Sequence, residues 1–460
     1  MKLFNTHKTL ITWLLAIVMM LVSCQDDLDQ FSPDVISEPT RSYEGTFLQE
    51  YFFLNCRITQ TTPGFLPTQS SRAYGYLGLA AYESVVHGID KDYSLAGQIN
   101  GISVGALPQP SPNLEYNWAL ACNAASAHIM RRMFERKILA ENRERIDRME
   151  LQNRIELSKN VKEEVIQRSE DFGLAVAEAL YQISKTDGGH EAYMEPFSQK
   201  DFIMPKDEYC WVPTSPQLEP LSPHWGSNRS FVANVVERSQ PIPNLPFSKE
   251  EGSEFYKQAM DVYNQVTKLN TEEEVTIAKY WADDPFETCT PTGHTFNILT
   301  QLLQESNATL EKTAVGLAMM SVAENDAFIS CWKSKYDYVL IRPVSYIQKY
   351  IDPSFETVIG TPPFPAYISG HSAEIGAGVK VMIHLFTDES GDYTFTDLSQ
   401  IQFGFEPRSY DNFYDMAMEC ALSRFYGGIH FEMDNTAGLN LGYNVGEAVI
   451  NDLRWPQNIE

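Results

Sequence analysis

Basic residues are scarce in this chain of 460 residues. Lysine and arginine number 35 against 61 aspartates and glutamates, which gives a formal net charge of −26 at pH 7. Because nucleic acids and anionic lipid surfaces attract positive charge, this balance argues against both as partners of the folded body. Any cationic site must therefore be local.

The cysteines lack the spacing of a metal site. The sequence has 7 of them, with no CxxC pair and no clustering with histidines, which argues against zinc. One is Cys24, near the N-terminus. For the others, the scatter through a large chain predicts mostly buried thiols, although export would permit disulfides; they are Cys56, Cys122, Cys210, Cys289, Cys331 and Cys420.

The apolar run near the N-terminus is too short to be a spanning helix. It extends from Leu10 to Val22 behind Lys2 and Lys8, which is typical of a secretory signal over residues 1–23. The letters "LVSC" resemble a bacterial lipobox, which predicts a lipid on Cys24. Residues 24–45 are acidic and polar and predict a flexible tether. We therefore expect a cell-envelope lipoprotein of the outer membrane, periplasmic or surface-exposed, that touches the membrane through its lipid alone.

The alternation of apolar and polar residues that is typical of strands is nearly missing, and the one short candidate strand is 393–395. Helical periodicity, in contrast, recurs along the chain. It predicts an all-α fold: a helical bundle with an N-terminal helical extension. The N-terminal part would span 46–248, with a Pro- and Gly-punctuated loop region at 187–247, and the C-terminal catalytic part 249–460. The predicted helices are 71–88, 117–129, one or two within 137–184, 249–268, 271–281, 295–304, 310–332, 372–386, 410–426 and 430–453.

Two short blocks of the C-terminal part carry cationic and hydroxyl side chains. "KYDYVLIRP" places Lys335 seven residues before Arg342. "SGH" places Ser369, Gly370 and His371 where a helical pattern begins. The amides at a helix start are unpaired donors at the positive end of a dipole, and glycine lets the backbone approach a ligand closely.

A third block, "SRFYGGIHFEMD", adds Arg424, His430 and Asp434. Singly, these residues have ordinary interpretations, such as a core histidine or a structural ion pair. In this order, however, three cations, a hydroxyl, two imidazoles and a helix N-terminus suit a tetrahedral oxyanion. Each cation at about 4 Å supplies roughly 4 kcal/mol of attraction at an effective dielectric constant of about 20. The spacing of four residues also lets Asp434 hydrogen-bond one ring nitrogen of His430.

These blocks resemble the superfamily of type 2 phosphatidic acid phosphatases, bacterial acid phosphatases and vanadium-dependent haloperoxidases. "CWKSKYDYVLIRP", "TPPFPAYISGH", "PHWGSNRSF" and "YWADDPFETCTPTGHTFNIL" are similar to the vanadium chloroperoxidase branch in particular. Ile368 departs from the pattern, since many members have proline before Ser-Gly-His. The resemblance implies the helical bundle of that superfamily.

The resemblance also implies a role for each site residue. The central atom of the oxyanion would be bonded by His430, with His371 opposite as acid and base. Trp332 and Phe364 would wall a halide site, or are ordinary core aromatics. An upstream acid, Asp283 or Asp284, would pair with the arginines. The donors to the equatorial oxygens would be Lys335, Arg342, Ser369, the Gly370 amide and Arg424.

Two chemistries fit such a pocket, because five-coordinate vanadate resembles the transition state of phosphoryl transfer. A haloperoxidase would hold vanadate as cofactor and act on peroxide and halide. A phosphatase would need no cofactor, would act on a small anionic substrate, and would form a phosphohistidine at His430. A surface lipoprotein that binds a ligand without chemistry is the third alternative, and the haloperoxidase is the hypothesis we favour.

Overall fold

The computed structural model describes residues 37–89, 93–198, 202–456 and 459. The predicted signal segment, Cys24 and most of the predicted tether lie outside these residues. Glu38–Gln109 and Tyr116–Glu460 form one compact unit, while Pro110–Glu115 belongs to a separate unit. The predicted division at residue 249 stays a prediction.

The described part of the chain is helical, as predicted, and carries a single small sheet. Its α-helices are α1 Thr46–Thr61, α2 Pro67–Glu83, α3 Trp118–Met133, α4 Ala140–Leu157, α5 Glu163–Ser184, α6 Val235–Arg238, α7 Glu254–Asn264, α8 Glu272–Tyr280, α9 Thr290–Glu305, α10 Leu310–Tyr338, α11 Pro343–Tyr350, α12 Gly370–Phe386, α13 Phe413–Tyr426 and α14 Glu432–Asp452.

The sheet consists of two antiparallel strands, β1 Asp392–Asp397 and β2 Arg408–Asn412, in which Phe395 pairs with Tyr410. The predicted helix 410–426 was therefore wrong at its start. Asn412 ends the strand and caps α13, because its side chain accepts a hydrogen bond from the backbone of Tyr414 at 2.7 Å.

Other boundaries differ from the sequence prediction where caps decide them. The charged segment 137–184 forms two helices, α4 and α5. Helix α10 continues to Tyr338, where Val339 adopts a left-handed conformation with φ of 46° and ends it. Helix α14 begins at Glu432, so that His430 stands in the loop before it. Helix α1 was not predicted as an element.

Close packing of α12 against α14 brings two of the motif blocks together. A Cβ added at Gly442 would lie 2.2 Å from the backbone oxygen of Ala373, and one at Gly438 would lie 2.7 Å from that of Ser369. Only glycine permits this approach. The start of α12 therefore lies against the start of α14, where Ser369 N donates to the backbone oxygen of Asp434 at 3.0 Å.

The loop region 187–247 braces the segment between α10 and α11. Trp211 N donates to the oxygen of Val339 at 2.7 Å, and Ile341 N donates to that of Tyr209 at 2.8 Å. Leu221 N likewise donates to Pro363 at 2.9 Å. The loop thus fixes the connection that carries Arg342 and the approach to Ser-Gly-His.

Cys56 on α1 and Cys289 directly before α9 form a disulfide with a Cα–Cα distance of 5.0 Å. The remaining cysteines of the described residues are buried free thiols, as the sequence predicted for most of them: Cys122, Cys210, Cys331 and Cys420. Within the same residues, no helix is both long and apolar enough to cross a bilayer.

Candidate active site

The predicted cationic residues lie at helix ends that meet at one place. Lys335 is in the last turn of α10, Arg342 directly precedes α11, and Arg424 is in the last turn of α13. All three are buried, at 0–3% exposure. Their charges act on one another and on both candidate imidazoles, so the structure brings together what the sequence separates.

His430 is held between a carboxylate and a guanidinium. Its Nδ1 lies 2.8 Å from Asp434 Oδ2, which also accepts from the backbone of Phe431 at 3.1 Å. Its Nε2 lies 3.0 Å from Arg342 Nη1. Because Asp434 accepts at Nδ1 and Arg342 donates at Nε2, the contacts select the tautomer with its proton on Nδ1 and its lone pair on Nε2. Burial, followed by Arg342, lowers the pKa of His430 well below its usual value, so the ring is neutral.

His371, in the first turn of α12, is also neutral. Burial and then Arg424 lower its pKa well below 6.5. The ring hydrogen-bonds the backbone of Ala282, while Nε2 has no hydrogen-bond partner among the described residues. The bond to Ala282 is therefore made by Nδ1–H, which leaves Nε2 as a free proton acceptor.

The lysine and arginines carry unequal numbers of free donors. Lys335 Nζ donates to the backbone oxygens of Pro365 (3.0 Å), Ala366 (3.1 Å) and Ile368, which uses its three protons to hold the segment before Ser369. One of these bonds must exchange before Lys335 donates to an oxyanion. Arg342 Nη2 and Arg424 Nε, in contrast, are buried without a partner in the described residues.

Burial sets the protonation of the cations. It lowers the pKa of Lys335 to about 7 and that of Arg342 to about 9. It also lowers the pKa of Arg424. An anion placed among these groups opposes the effect, because it stabilises their charged forms.

Ser369 caps α12 and Gly370 begins it, as the sequence predicted. Ser369 Oγ accepts from the backbone of Ser372 at 3.4 Å and from its hydroxyl at 2.9 Å. The Tyr367–Ile368 peptide bond, at the position where the motif departs from the superfamily pattern, is cis.

An apolar cavity of about 260 Å³ opens onto this cluster. Phe364 and Trp332 line it with their rings 5.0 Å apart. The Phe364 ring lies 4.9 Å from Lys335 Nζ and 5.0 Å from the guanidinium carbon of Arg342, which is cation–π distance. Also in the lining are Asp283, Asp284, Gly370, His371, Arg424 and His430, whereas Lys335, Arg342, Ser369 and Asp434 lie outside it.

The contacts of the two candidate acids, Asp283 and Asp284, differ from the expectation that one of them pairs with an arginine. Asp283 makes a buried ion pair with His294, its Oδ2 lying 3.0 Å from Nδ1. Asp284 lies at the cavity lining. Both interact electrostatically with Arg424, but neither forms a hydrogen-bonded ion pair with it in the described residues, because Arg424 Nη1 donates to the backbone of Trp281 instead.

Sequence analysis did not identify His294 or Asp397, which stand directly behind Asp283. His294 Nε2 lies 3.0 Å from Asp397 Oδ2. His294 falls within the block "YWADDPFETCTPTGHTFNIL", so its place in that block was the available signal. Asp397 gave none, because it comes from the end of β1 about a hundred residues later.

Comparisons with known proteins agree with this architecture. Residues 350–456 match the family model described as the VCPO second helical-bundle domain. The crystal structure of a bacterial vanadium-dependent iodoperoxidase superposes with a TM-score of 0.78 at 31% identity, over 90% of this chain and 97% of that one. The chain therefore belongs to the vanadium-dependent haloperoxidase family.

Two structures of bacterial vanadium-dependent chloroperoxidase share the fold at lower identity. The holo form has a TM-score of 0.58 at 14% identity and covers 92% of this chain and 94% of its own. The apo form has a TM-score of 0.61 at 15% identity and covers 85% and 95%. None of the curated proteins compared matches the sequence significantly.

The residues of the site fit a vanadate group. Three buried cations face one another, while Asp434 is hydrogen-bonded to His430 and Asp283 to His294. Unpaired donors on Arg342 and Arg424 and a lone pair on His430 Nε2 are the groups that an oxyanion with a Lewis-acidic centre uses. Buried carboxylates act on these cations, but they leave the donors on Arg342 and Arg424 free for an oxyanion.

Proposed function

We propose that this protein is a vanadium-dependent haloperoxidase, with His430 Nε2 as the atom that bonds vanadate. The observation that supports it most is the pair of contacts that fixes His430, since Asp434 holds the proton on Nδ1 and leaves the lone pair of Nε2 toward Arg342. Arg342, Arg424, the Gly370 amide, Ser369 and Lys335 would bind the oxygens. The vanadate, when bound, supplies a Lewis-acidic centre that activates peroxide.

In the net reaction, halide, hydrogen peroxide and one proton give hypohalous acid and water. The peroxide O–O bond breaks and the halide loses two electrons. His371 is neutral and lines the cavity, and its Nε2 has no hydrogen-bond partner among the described residues, so it can take a proton from incoming peroxide and return it to the departing oxygen. Phe364 and Trp332 exclude water beside these groups and give a polarisable halide an apolar wall.

Iodide is the first halide to test, because the relative at 31% identity is an iodoperoxidase. The mature protein would be assayed for oxidation of iodide, bromide and chloride by peroxide, and separately for p-nitrophenyl phosphate hydrolysis, each with and without vanadate. Halide oxidation that requires vanadate supports the proposal. Hydrolysis that vanadate inhibits would support the phosphatase. If neither activity is detected, and His430→Ala changes neither result, the ligand-binding lipoprotein is supported.

We further propose that the mature chain is a cell-envelope lipoprotein carrying its lipid on Cys24. The support is the sequence "LVSC" after a short apolar run. Metabolic labelling with a palmitate analogue should mark the wild type and leave Cys24→Ser unlabelled. Equal labelling of both would refute it.

A further inference from the structure

His294 lies at the centre of a buried cluster behind the candidate active site. Its Nδ1 is 3.0 Å from Asp283 Oδ2, and its Nε2 is 3.0 Å from Asp397 Oδ2. The ring stacks on Trp281, with centroids 4.4 Å apart and planes 21° apart. All of these side chains are buried, and none of the acid–base steps described above uses the histidine.

The two carboxylate contacts favour the charged form of this histidine, whose Nδ1 also lies 2.7 Å from Gln400 Nε2. Both ring nitrogens face a carboxylate, and a neutral imidazole has only one N–H to donate. Asp397 also accepts from Tyr280 at 2.7 Å and from Ser399 N at 2.8 Å, which favours its ionised form. Burial alone lowers the pKa of His294, but Asp283 and Asp397 outweigh burial and raise it to about 10.

The cluster reaches the cavity through Asp283. Asp283 Oδ2 lies 4.0 Å from His371 Nε2, the nitrogen that has no hydrogen-bond partner among the described residues. Asp283 has a φ of 50°, a left-handed conformation that Asp tolerates but does not prefer. Gln400 Nε2 donates to Asp283 Oδ1 at 2.9 Å and helps to hold it.

We propose that His294 is a positioning residue. As an imidazolium held between Asp283 and Asp397, an arrangement that we call the clamp, it keeps Asp283 beside His371. It thereby sets how strongly the Asp283 carboxylate attracts a proton on His371 Nε2. Without the imidazolium, the carboxylate would act on His371 with its full charge. With Asp397 neutralised, the imidazolium would offset Asp283 more completely. The role in turnover rests on the proposed function, whereas the clamp itself does not.

Other charges also act on these two rings. The groups that face His294 or His371 are Asp283, Asp397, Tyr280, Glu374, Arg424, Lys335 and His430. The substitutions below leave all of them except Asp397 unchanged. A difference between the two variants therefore reports the charge of the clamp.

The test is NMR of the vanadate-free mature protein with ¹⁵N-labelled histidine, so that it does not depend on peroxidase activity. In the wild type, both nitrogens of His294 should carry protons at pH 7.5. In His294→Gln, the pKa of His371 should rise by about one unit, because one positive charge near Asp283 is lost. In Asp397→Asn it should stay or fall. The matched control is His128→Gln, which breaks the pair between His128 on α3 and Glu178 on α5. It should change neither the protonation of His294 nor the pKa of His371.

A neutral His294 in the wild type would overturn the proposal, and so would an equal rise of the His371 pKa in both cluster variants. The wild-type signals remain decisive even where a variant does not fold. In turnover, His294→Gln should move the acid limb of the kcat/KM profile to higher pH, whereas Asp397→Asn should not. If the wild type shows no halide oxidation while the NMR results agree with the predictions above, the proposed function is refuted but the clamp is still supported.

Discussion

At the scale of single residues, the site depends on buried side chains whose polar atoms have few alternative hydrogen-bond partners. Asp434 Oδ2 accepts from His430 Nδ1 and from the backbone of Phe431, so one oxygen both begins α14 and fixes the imidazole. Arg342 donates from Nε to Phe364 and from Nη1 to Ile429 and His430. These buried bonds orient the ring before any ligand arrives. The bond from Arg342 to Nε2 must open before that nitrogen bonds vanadate.

Replacing Asp434 by asparagine should weaken vanadate binding and halide oxidation by about 10- to 100-fold, because a neutral amide holds the Nδ1 proton less firmly. Calorimetric titration with vanadate and steady-state kinetics would measure both. The control is Asp337→Asn, an exposed carboxylate paired with Lys333 on α10. Unchanged affinity in the Asp434 variant would contradict the assignment of the tautomer.

Residue-level sequence reasoning reached the parts of the site that lie within one motif block. The spacing of four residues predicted that Asp434 reaches His430, and the structure has them 2.8 Å apart. It could not predict that Lys335 binds three backbone carbonyls, because those oxygens belong to a segment thirty residues away. The His294–Asp397 contact was hidden for the same reason, since no local pattern links a helix to a distant strand.

At the scale of elements, the contact between α12 and α14 decides whether the motif blocks meet. Replacement of Gly442 by alanine would place a Cβ 2.2 Å from the backbone oxygen of Ala373, so one helix must shift. We expect a loss of about 1–3 kcal/mol in the free energy of unfolding, measured in urea, together with lower kcat. Gly360→Ala, whose Cβ would meet nothing within 4 Å, is the control. Equal stability of the two variants would show that the helices are not held this closely.

A second link between elements is the buried carboxyl pair of Glu324 on α10 and Glu374 on α12. Burial raises the pKa of Glu374 from 4.5 to about 7, and burial followed by Glu374 raises that of Glu324 well above its usual value. The folded protein thus keeps protons that the unfolded chain releases above about pH 4.5. The stability that this pair contributes is present below that pH and is lost as pH rises through about 7.

Glu374→Gln should therefore flatten the fall in stability between pH 4.5 and 7 and stabilise the protein at pH 7 by on the order of 3 kcal/mol. Urea denaturation at a series of pH values would show it. Glu305→Gln, which changes an exposed carboxylate on α9, should leave the curve as in the wild type. A Glu374 variant with the wild-type slope would mean that the pair is ionised in the folded state.

At the scale of the whole molecule, composition and helical periodicity predicted the fold class, because long apolar stripes leave few alternatives to a bundle. The same periodicity misplaced the start of α13, since Tyr410 pairs with Phe395 across a sheet that local pattern does not reveal. The loop region 187–247 was predicted as a loop, but its hydrogen bonds to Val339, Ile341 and Pro363 depend on tertiary contacts that a sequence pattern does not reveal. This loop region therefore connects distant parts of the chain around the cavity.

The charge of the molecule also acts as a whole. A net charge of −26 repels free anions at long range, yet the site collects three buried cations at one place. Because the surface charge is screened by salt while the buried cluster is not, halide oxidation should become more efficient as ionic strength rises from low values. A kcat/KM for iodide that falls steadily with added sodium acetate, whose anion is not a tetrahedral oxyanion, would contradict this.

The proposed function depends most on His430, whose Nε2 would bond vanadate within this cationic cluster. The most direct measurement is a crystal structure of the mature protein grown with vanadate, with the vanadium located by anomalous scattering. We expect one vanadium per chain within bonding distance of His430 Nε2, with its oxygens facing Arg342 and Arg424, and none at the site in His430→Ala. A vanadium bound elsewhere, or an equal signal at the site in the variant, would contradict it.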